Sequence, residues 1–376
     1  MIDAAKALGF AVYTSGNRPD ELGHRRGDGY VPADYSDPEQ VLAAAKSIGA
    51  EAICPSCNDF SAISSAYAAH VLGLPGHDAP EPTLILHHKD RYRALAASVG
   101  VPTPRAMSFD RADAAIDAGS ALRLPVMVKP VDLTGGKGIT RVSDPGALPD
   151  AVTRAFALSR QQRVVIEEFI EGTRHGITTF IRDKRVVFAM SDNEVYFTNP
   201  YLVSGAYSPG DVSAGQESAV CRDVETIARA LDLRDGLVHV QFVLAESGPV
   251  IIEICRRPPG DLYVKLVSFV TGVDYPSWIV RSFAGLDSGA TAAPASRSPV
   301  LRHCVMSRDP GRVDHVHVAP CVRDKIIDQM LWADGARIDN PLVDKMGIVF
   351  VGFETAAELR EIGPRMHDLI YPVVTH

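Results

Sequence analysis

The sequence predicts an α/β and α+β protein built from several domains. Its 376 residues exceed what one hydrophobic core usually organises, since a domain typically holds about 100–200 residues. Residues 1–85 alternate helix and strand patterns, which is typical of a doubly wound parallel sheet. From Gly172 onward, apolar strands follow one another with short turns such as RDK and ESG between them, which favours antiparallel pairing.

The N-terminal domain is predicted at residues 1–85. It opens on the helical segment AAKALG, whereas a doubly wound domain normally begins with an apolar strand, so either the assigned start is late or the first strand is lost. The strand-like AEAIC leads into Cys54 and Cys57. Their CPSC spacing fits a redox pair or half a zinc site, but no second such pair completes a site, which favours an ordinary βα loop.

The central domain is predicted at residues 86–290, with a lid subdomain at 123–172. A helix of strong helix formers ends at Gly100, and a strand, a glycine-rich loop, a helix and the strand RVVIEEFI follow. After a linker of small residues, residues 291–376 are predicted to form a small β-rich closing region. Its last element is predicted to be a helix over residues 355–374.

Composition excludes several classes of protein. The chain is 46% hydrophobic and 22% charged, and it contains no apolar run near the roughly 18–20 residues that span a bilayer. Its net charge is 38 minus 46, or −8, without a basic run, so a nucleic-acid partner is not expected. With no signal-like segment and six scattered cysteines, the expected location is the cytoplasm, without a disulfide framework.

The glycine-rich loop DLTGGKGIT is not a P-loop, because Gly138 follows Lys137 where that motif requires Ser or Thr. Gly135, Gly136 and Gly138 could still let backbone N–H groups approach an anion, although a plain flexible hairpin is an equal alternative. Lys129 ends the strand PVMVK before this loop. Its stem would pack while its ammonium faces whatever the loop covers.

Two further strands carry acids. Glu167 and Glu168 end the strand VVIEE, and Glu253 interrupts the apolar strand of VIIEICRRPPGD, which continues into Arg257. A solvated charge at a strand end is the ordinary explanation for each. A lone carboxylate within an apolar strand, however, requires a cation or a donor as its partner.

The order of these elements resembles the ATP-grasp superfamily, of the carboxylate–amine ligase type. The resemblance covers nearly the whole chain, and single motifs are weak while seven in the family's order are strong. The matching segments are KDRYRALAASVGVPTPRA, LPVMVKP, DLTGGKGITRV, VVIEEFIEG, LVHVQFVL, VIIEICRRPPGD and the C-terminal GRVDHVHV with GFETAAELREI.

The resemblance implies that ATP lies between two α+β lobes, under the loop from Thr134 to Gly138. Lys129 and Lys89 would hold phosphate oxygens, and Glu167 with the backbone near Phe169 would meet the adenine edge. The residues implied to bind nucleotide are Lys89, Lys129, Thr134, Gly135, Gly136, Gly138, Glu167, Glu168, Phe169 and Ile170.

The resemblance also answers the question of Glu253. In the family this strand carries a Mg²⁺-binding carboxylate, and the arginine after it stabilises charge on the substrate or the transferred phosphoryl group. Glu253 and Gln241 are thus the implied metal ligands, for Mg²⁺ or alternatively Mn²⁺, and Arg257 and Lys129 the implied catalytic residues. Gln241 departs from the family pattern, which commonly has an acidic metal ligand there, but a carboxamide oxygen can still bind Mg²⁺ and carbamoyl phosphate synthetase has a glutamine at this position.

Two other positions depart from the family pattern. Cys255 replaces the usual asparagine two residues after Glu253, and a thiol is a poor ligand for magnesium. Arg174 stands where the family often has an acid that takes the ribose hydroxyls. The first change predicts weaker binding of metal than is usual in the family. The second predicts either that other groups hold the ribose or that nucleotide binding is weaker.

The leading functional hypothesis is an ATP-dependent carboxylate–amine or carboxylate–thiol ligase that works through an acyl phosphate. A biotin-carboxylase-like or purine-pathway enzyme that activates bicarbonate is the first alternative, and a non-catalytic nucleotide-binding protein is the second. The substrates would be small molecules, with a homodimer left open. Candidate substrate contacts lie in the segment NEVYFTNPYLVSGAYSPGD, although an ordinary surface loop would have a similar composition.

Overall fold

A computed structural model describes residues 1–119, 122–133, 135–294, 297–332 and 335–375. Short 3₁₀ helices lie at Leu22–Arg26, Pro145–Ala147 and Gly363–Arg365. The α-helices are α1 (Ile2–Ala7), α2 (Pro38–Ser47), α3 (Asp59–Leu72), α4 (Pro80–His87), α5 (Lys89–Ser98), α6 (Ala112–Gly119), α7 (Leu148–Leu158), α8 (Ala214–Ala230), α9 (Tyr263–Thr271), α10 (Tyr275–Phe283), α11 (Pro320–Arg323), α12 (Ala356–Ile362) and α13 (Met366–Leu369).

The strands pair within four sheets, of two, four, eight and three strands. They are β1 (Tyr13–Gly16), β2 (Gly29–Pro32), β3 (Ala106–Phe109), β4 (Val126–Pro130), β5 (Thr140–Val142), β6 (Val164–Glu168), β7 (Thr173–Arg182), β8 (Arg185–Tyr196), β9 (Val203–Ser208), β10 (Gly236–Ala245), β11 (Gly248–Cys255), β12 (Val300–Val305), β13 (Gly311–Val318), β14 (Ile326–Leu331), β15 (Arg337–Ile338), β16 (Gly347–Gly352) and β17 (Ile370–Thr375).

The N-terminal region carries the parallel pair β1–β2 among helices α1 to α4. Polar caps fix the helix starts: the side chain of Asp37 accepts from two N–H groups of α2, and that of Asn58 accepts from the N–H of Phe60 in α3. The predicted strand AEAIC is wrong, because residues 50–54 are irregular and pair with no described strand. A strand is held by a hydrogen-bonded neighbour, which this segment lacks among the described residues.

The lid is an antiparallel sheet in the order β3-β6-β4-β5. Helices α6 and α7 cover one face, where Val126, Val128 and Ile166 join Val152 in a buried apolar cluster. The other face turns towards the large sheet. On this face Lys129 and Glu167 project from neighbouring strands.

The large sheet has the order β11-β10-β7-β8-β9-β12-β16-β14. Helices α5 and α8 pack on one face, against residues such as Val240 and Phe242. Helices α9 and α10 cover part of the other face, where Phe188 and Met190 of β8 are fully buried. Beyond these helices the same face continues into open space, and this uncovered part lies opposite the lid.

The C-terminal region is divided between two sheets. Strands β12, β14 and β16 extend the large sheet, and β15-β13-β17 form the three-stranded sheet. The closing helix predicted over residues 355–374 is wrong from Ile370 onward, and the part before it is divided into α12, a 3₁₀ turn and α13. Pro364 follows the end of α12, and the β-branched segment after Leu369 pairs with β13 as β17.

No helix within the described ranges is long and apolar enough to cross a membrane.

Candidate functional site

A cavity of about 360 Å³ lies between the lid and the uncovered face of the large sheet. Gly138 is not part of its lining, because this glycine packs against Pro130 within the lid. Thr134, also predicted to bind nucleotide, lies outside the described residues. The cavity brings together the other predicted site residues, which are Lys89, Lys129, Gly135, Gly136, Glu167, Glu168, Phe169, Ile170, Gln241, Glu253 and Arg257.

An ion triad anchors the lid side of the cavity. Lys129 Nζ donates to one oxygen of Glu167, and Arg93 Nε donates to the other at 3.0 Å. Glu167 is only 2% exposed; burial acts to raise the pKa of its carboxyl, but the charges of Arg93 and Lys129 hold it below the ordinary value. The Glu167 side chain therefore positions Lys129, whose own pKa is lowered by burial.

The glycine loop approaches a second loop at the mouth of the cavity. Gly135 and Gly136 have φ angles of +66° and +74°, in the left-handed region. A Cβ on Gly136 would lie 2.6 Å from the carbonyl oxygen of Tyr201. A side chain at this position would prevent the approach, so glycine is required there.

Gln241 and Glu253 face each other across the β10–β11 pair. No described residue forms a hydrogen bond or an ion pair with the Glu253 carboxylate. The Gln241 amide donates to Glu194, which leaves its carbonyl oxygen as the available ligand. Both are hard oxygen donors of the kind that Mg²⁺ accepts.

The described residues contain no group of three or more His, Cys, Asp or Glu side chains that could hold a metal ion. A Mg²⁺ ion at Gln241 and Glu253 would therefore need phosphate oxygens for the rest of its shell, which is the usual way in which proteins bind this ion with nucleotides. The residues fit Mg²⁺ on that condition. The absence of such a group among the described residues also gives no support to a zinc site at Cys54 and Cys57.

The two arginines after β11 have separate roles in the structure. Arg256 is buried against Asp78, with Nε 2.7 Å from the carboxylate, and also donates to backbone carbonyls. Arg257 lines the cavity, and its Nε lies 2.6 Å from Oδ1 of Asp59 at the start of α3. His87 Nδ1 lies 3.1 Å from the same oxygen. Of these two arginines, only Arg257 is therefore placed to contact a ligand in the cavity.

Strand β8 adds a polar row, of which the sequence reasoning missed Asp192 and included Glu194 and Tyr196 only within a candidate substrate-contact segment. Asp192, Glu194 and Tyr196 continue the face on which Phe188 and Met190 are buried, and all three line the cavity. Burial raises the pKa of Asp192 to about 6 and that of Glu194 to about 7. The alternation in SDNEVYF was the available signal.

Five further cavity residues were not predicted to belong to this site. They are Cys57, His239, Asp261, Tyr263 and Arg302. The segment suspected of substrate contacts contributes to the lining Glu194, Tyr196, Tyr201, Leu202, Val203 and Ala206.

The other two departures from the family pattern, Cys255 and Arg174, both line the cavity. The Cys255 thiol is buried and donates to the carbonyl of Arg257 at 3.8 Å. Arg174 lies over the Tyr196 ring, 4.6 Å from its centre, and donates to the carbonyl of Pro200. Arg174 thus contacts the loop around Tyr201, which the glycine loop approaches.

Residues 88–287, more than half of the chain, match the family model of the carbamoyl-phosphate synthase L chain ATP-binding domain. A D-alanine–D-alanine ligase of Mycobacterium leprae is 33% identical over 176 residues, which are 42% of this chain and 44% of that protein. The chain spans half or less of the length of curated relatives that it matches.

Solved structures share the fold over the whole chain. An L-amino acid ligase from Bacillus licheniformis has a TM-score of 0.82 at 17% identity, covering 100% of this chain and 95% of that one. The biotin carboxylase domain of the 2-oxoglutarate carboxylase from Hydrogenobacter thermophilus, solved with MgADP and bicarbonate, has a TM-score of 0.77 at 18% identity, covering 100% and 88%. The predicted fold class is confirmed.

Proposed function

The chain belongs to the ATP-grasp superfamily, through the ATP-binding domain family of the carbamoyl-phosphate synthase L chain, and on this premise we propose that it is an ATP-dependent carboxylate–amine ligase. One observation carries the proposal. A single cavity holds a glycine loop, two lysines, an arginine and a carboxylate, Glu253, that no described residue pairs. A phosphate-bound cation is the partner that such a carboxylate lacks.

The proposed reaction has two steps. A substrate carboxylate oxygen first attacks the γ-phosphorus of ATP, so that an O–P bond forms, the bond to the β-phosphate breaks and ADP leaves. The amine nitrogen then attacks the acyl phosphate carbon. A C–N bond forms, inorganic phosphate leaves with the electron pair of the broken C–O bond, and the nitrogen releases its protons to solvent. Such chemistry depends on positioning and charge neutralisation rather than on a side-chain nucleophile.

Each charged residue has a proposed part in these steps. Lys129, held by Glu167, and Lys89 bind phosphate oxygens under the glycine loop. Arg257 stabilises negative charge on the transferred phosphoryl group and on the acyl phosphate. Mg²⁺ at Gln241 and Glu253 would neutralise phosphate charge, and Mn²⁺ could replace it.

The three predicted regions divide this work. Residues 1–85 supply Cys57 to the cavity lining and Asp59 as the partner of Arg257, and residues 86–290 supply the nucleotide and metal sites. Residues 291–376 supply Arg302 to the cavity lining. We further propose small-molecule substrates, no nucleic-acid partner, a cytoplasmic location and a homodimer as the assembly to test first.

The test is the release of ADP by purified protein with Mg·ATP, screened over carboxylates paired with amines. Release that requires one carboxylate and one amine supports the proposal. Release that requires bicarbonate alone would replace the ligase with a bicarbonate-activating enzyme. Binding of Mg·ATP without turnover on any pair would leave only a nucleotide-binding protein.

A further inference from the structure

Two buried side chains of opposite charge line the end of the cavity formed by β8 and β12. Arg302 is 3% exposed on β12, and Asp192 is fully buried on β8. In the strand order, β7, β8 and β9 separate β10, which carries Gln241, from β12. Since each strand adds about 4.8 Å, Arg302 stands well away from the position predicted for phosphoryl transfer.

Each of these groups keeps a hydrogen-bonding atom without a partner in the described part of the chain. The unpaired atoms are Nε of Arg302 and Oδ1 of Asp192. Other atoms of the two groups have partners: Arg302 Nη1 lies 3.5 Å from Oδ2 of Asp261 in an ion pair and donates to the carbonyl of the same residue at 3.3 Å, and Asp192 Oδ2 accepts from the Tyr263 hydroxyl. Leaving a buried donor or acceptor atom without a hydrogen bond is costly, so the two unpaired atoms in a cavity wall indicate a ligand.

Small residues adjoin the two charged groups. Ala206 stands between Glu194 and Arg302 in the strand register, and Gly176 stands beside Asp192. A Cβ on Gly176 would come within 2.8 Å of the Asp192 carboxylate. No hydrogen bond joins Asp192 to Arg302, although the guanidinium is near enough to lower the pKa of the acid. A ligand with adjacent positive and negative groups would bridge them.

We propose that this end of the cavity binds the amine substrate as an α-amino acid, with its ammonium at Asp192 and its carboxylate at Arg302. The assignment rests on the proposed ligase function. It follows from the order of the strands, because Asp192 on β8 lies nearer to Gln241 on β10 than Arg302 on β12 does. The amino group would therefore face the acyl phosphate, and the carboxylate would remain remote from the reaction.

Binding can be tested separately from turnover. The protein is loaded with Mg²⁺ and a non-hydrolysable ATP analogue, and the proteinogenic L-amino acids are titrated by calorimetry, each against its own α-amide. At least one amino acid should bind, and its amide should bind roughly 10- to 100-fold more weakly, as expected when one charge-assisted contact is lost. The proposal is overturned if no amino acid binds, or if amide and acid bind equally.

Arg302→Gln should reduce the affinity for the amino acid to that for its amide, while the affinity for the amide stays unchanged. Asp261 retains Lys345 as an ion-pair partner, so this variant leaves no unpaired carboxylate there. Arg297→Gln, which removes an arginine paired with Glu217 outside the cavity, is the matched control. Unchanged binding of the amino acid by Arg302→Gln contradicts the proposal. If Arg302→Gln does not fold, the affinities of the unaltered protein for amino acids and for their α-amides still test the proposal.

The same samples distinguish the two proposals. If an amino acid binds with the stated preference over its amide but no carboxylate supports ADP release, the ligase function fails and the binding site stands. If ADP release occurs with amines that carry no carboxylate as readily as with amino acids, the ligase function stands and this site assignment fails.

Discussion

Asp59 Oδ1 lies 2.6 Å from Nε of Arg257, which joins the first residue of α3 to the turn after β11. Burial acts to raise the pKa of Asp59, but the charges of Arg257 and His87 outweigh it and hold the pKa below its usual range. Asp59 is therefore ionised at neutral pH. The N-terminal region thus fixes the guanidinium that we assign to charge stabilisation.

Arg257→Ala should leave nucleotide binding nearly intact and lower kcat by about 10²–10³-fold, as expected when one preorganised charge-stabilising donor is lost. The measurements are kcat and the rise in melting temperature caused by Mg·ATP. Arg185→Ala, an exposed arginine at the start of β8, is the control. An unchanged kcat would remove Arg257 from the proposed mechanism.

Asp59 is expected to act through Arg257, as a positioning residue. Asp59→Asn should lower kcat by up to about 10²-fold, since a displaced catalytic group can cost that much, and Asp59→Glu should recover part of the loss. In an Arg257→Ala background, Asp59→Asn should add almost nothing. Kinetics of the two single variants and the double variant decide the point. Losses that multiply would show that Asp59 acts independently of Arg257.

Lys129→Ala should abolish most of the stabilisation by Mg·ATP, because it removes a charged phosphate contact beneath the glycine loop. A ligand at 100 times its Kd stabilises by about 2.7 kcal/mol, which a thermal melt detects readily. Glu167 keeps Arg93 as its partner at 3.0 Å, so the fold should survive. Lys184→Ala, in the turn between β7 and β8, is the control. If Lys129→Ala keeps the full rise in melting temperature with Mg·ATP, Lys129 does not contact the phosphates.

The order of motifs predicted the fold because local patterns correspond to local elements. The strands with Lys129, Glu167 and Glu253 form where the sequence places them, with their side chains at one cavity. Two local predictions are wrong, the strand AEAIC and the end of the closing helix from Ile370 onward. The first segment has no described strand to pair with and the second has one in β13, and a propensity cannot report on either.

The partners of the site residues were less predictable. Asp59 meets Arg257 across 198 residues of chain, and Arg93 meets Glu167 across 74. No spacing rule connects such pairs, because only the tertiary fold brings them together. Asp192 and Glu194 differ in this respect: their alternation on a strand was visible, but it matched no family motif.

Glu253→Gln should raise the Mg²⁺ concentration needed for turnover, since it removes the anionic ligand from the pair that it forms with Gln241. Mn²⁺, which binds weak sites better, should partly restore activity. ADP release measured against titrated Mg²⁺ and Mn²⁺ tests this, with Glu246→Gln in the exposed β10–β11 turn as the control. A metal requirement equal to that of the unaltered protein would argue against Glu253 as a ligand.

His303 should make the fold sensitive to acid. It is 1% exposed on β12, its Nε2 lies 2.8 Å from the carbonyl of Ile370, and burial, with Arg302 nearby, lowers its pKa to about 4. The unfolded chain, with a pKa near 6.5, therefore binds a proton that the folded protein does not between about pH 6.5 and 4. The free energy of unfolding should therefore decrease as the pH is lowered from about 6.5 to 4, by roughly 3 kcal/mol for this one group.

His303→Gln removes that contribution, because an amide can still donate to the Ile370 carbonyl but takes up no proton. Burial lowers the pKa of neighbouring His367, whose ring centre lies 4.5 Å away, to about 2, and His303 contributes to that lowering. The comparison therefore reports the titration of His303 together with its effect on His367. Urea denaturation at several pH values should show the variant less stable at pH 7 and the difference closing towards pH 4. His70→Gln, on the exposed surface of α3, supplies the baseline. A difference that does not vary with pH would mean that His303 is not buried in its neutral form.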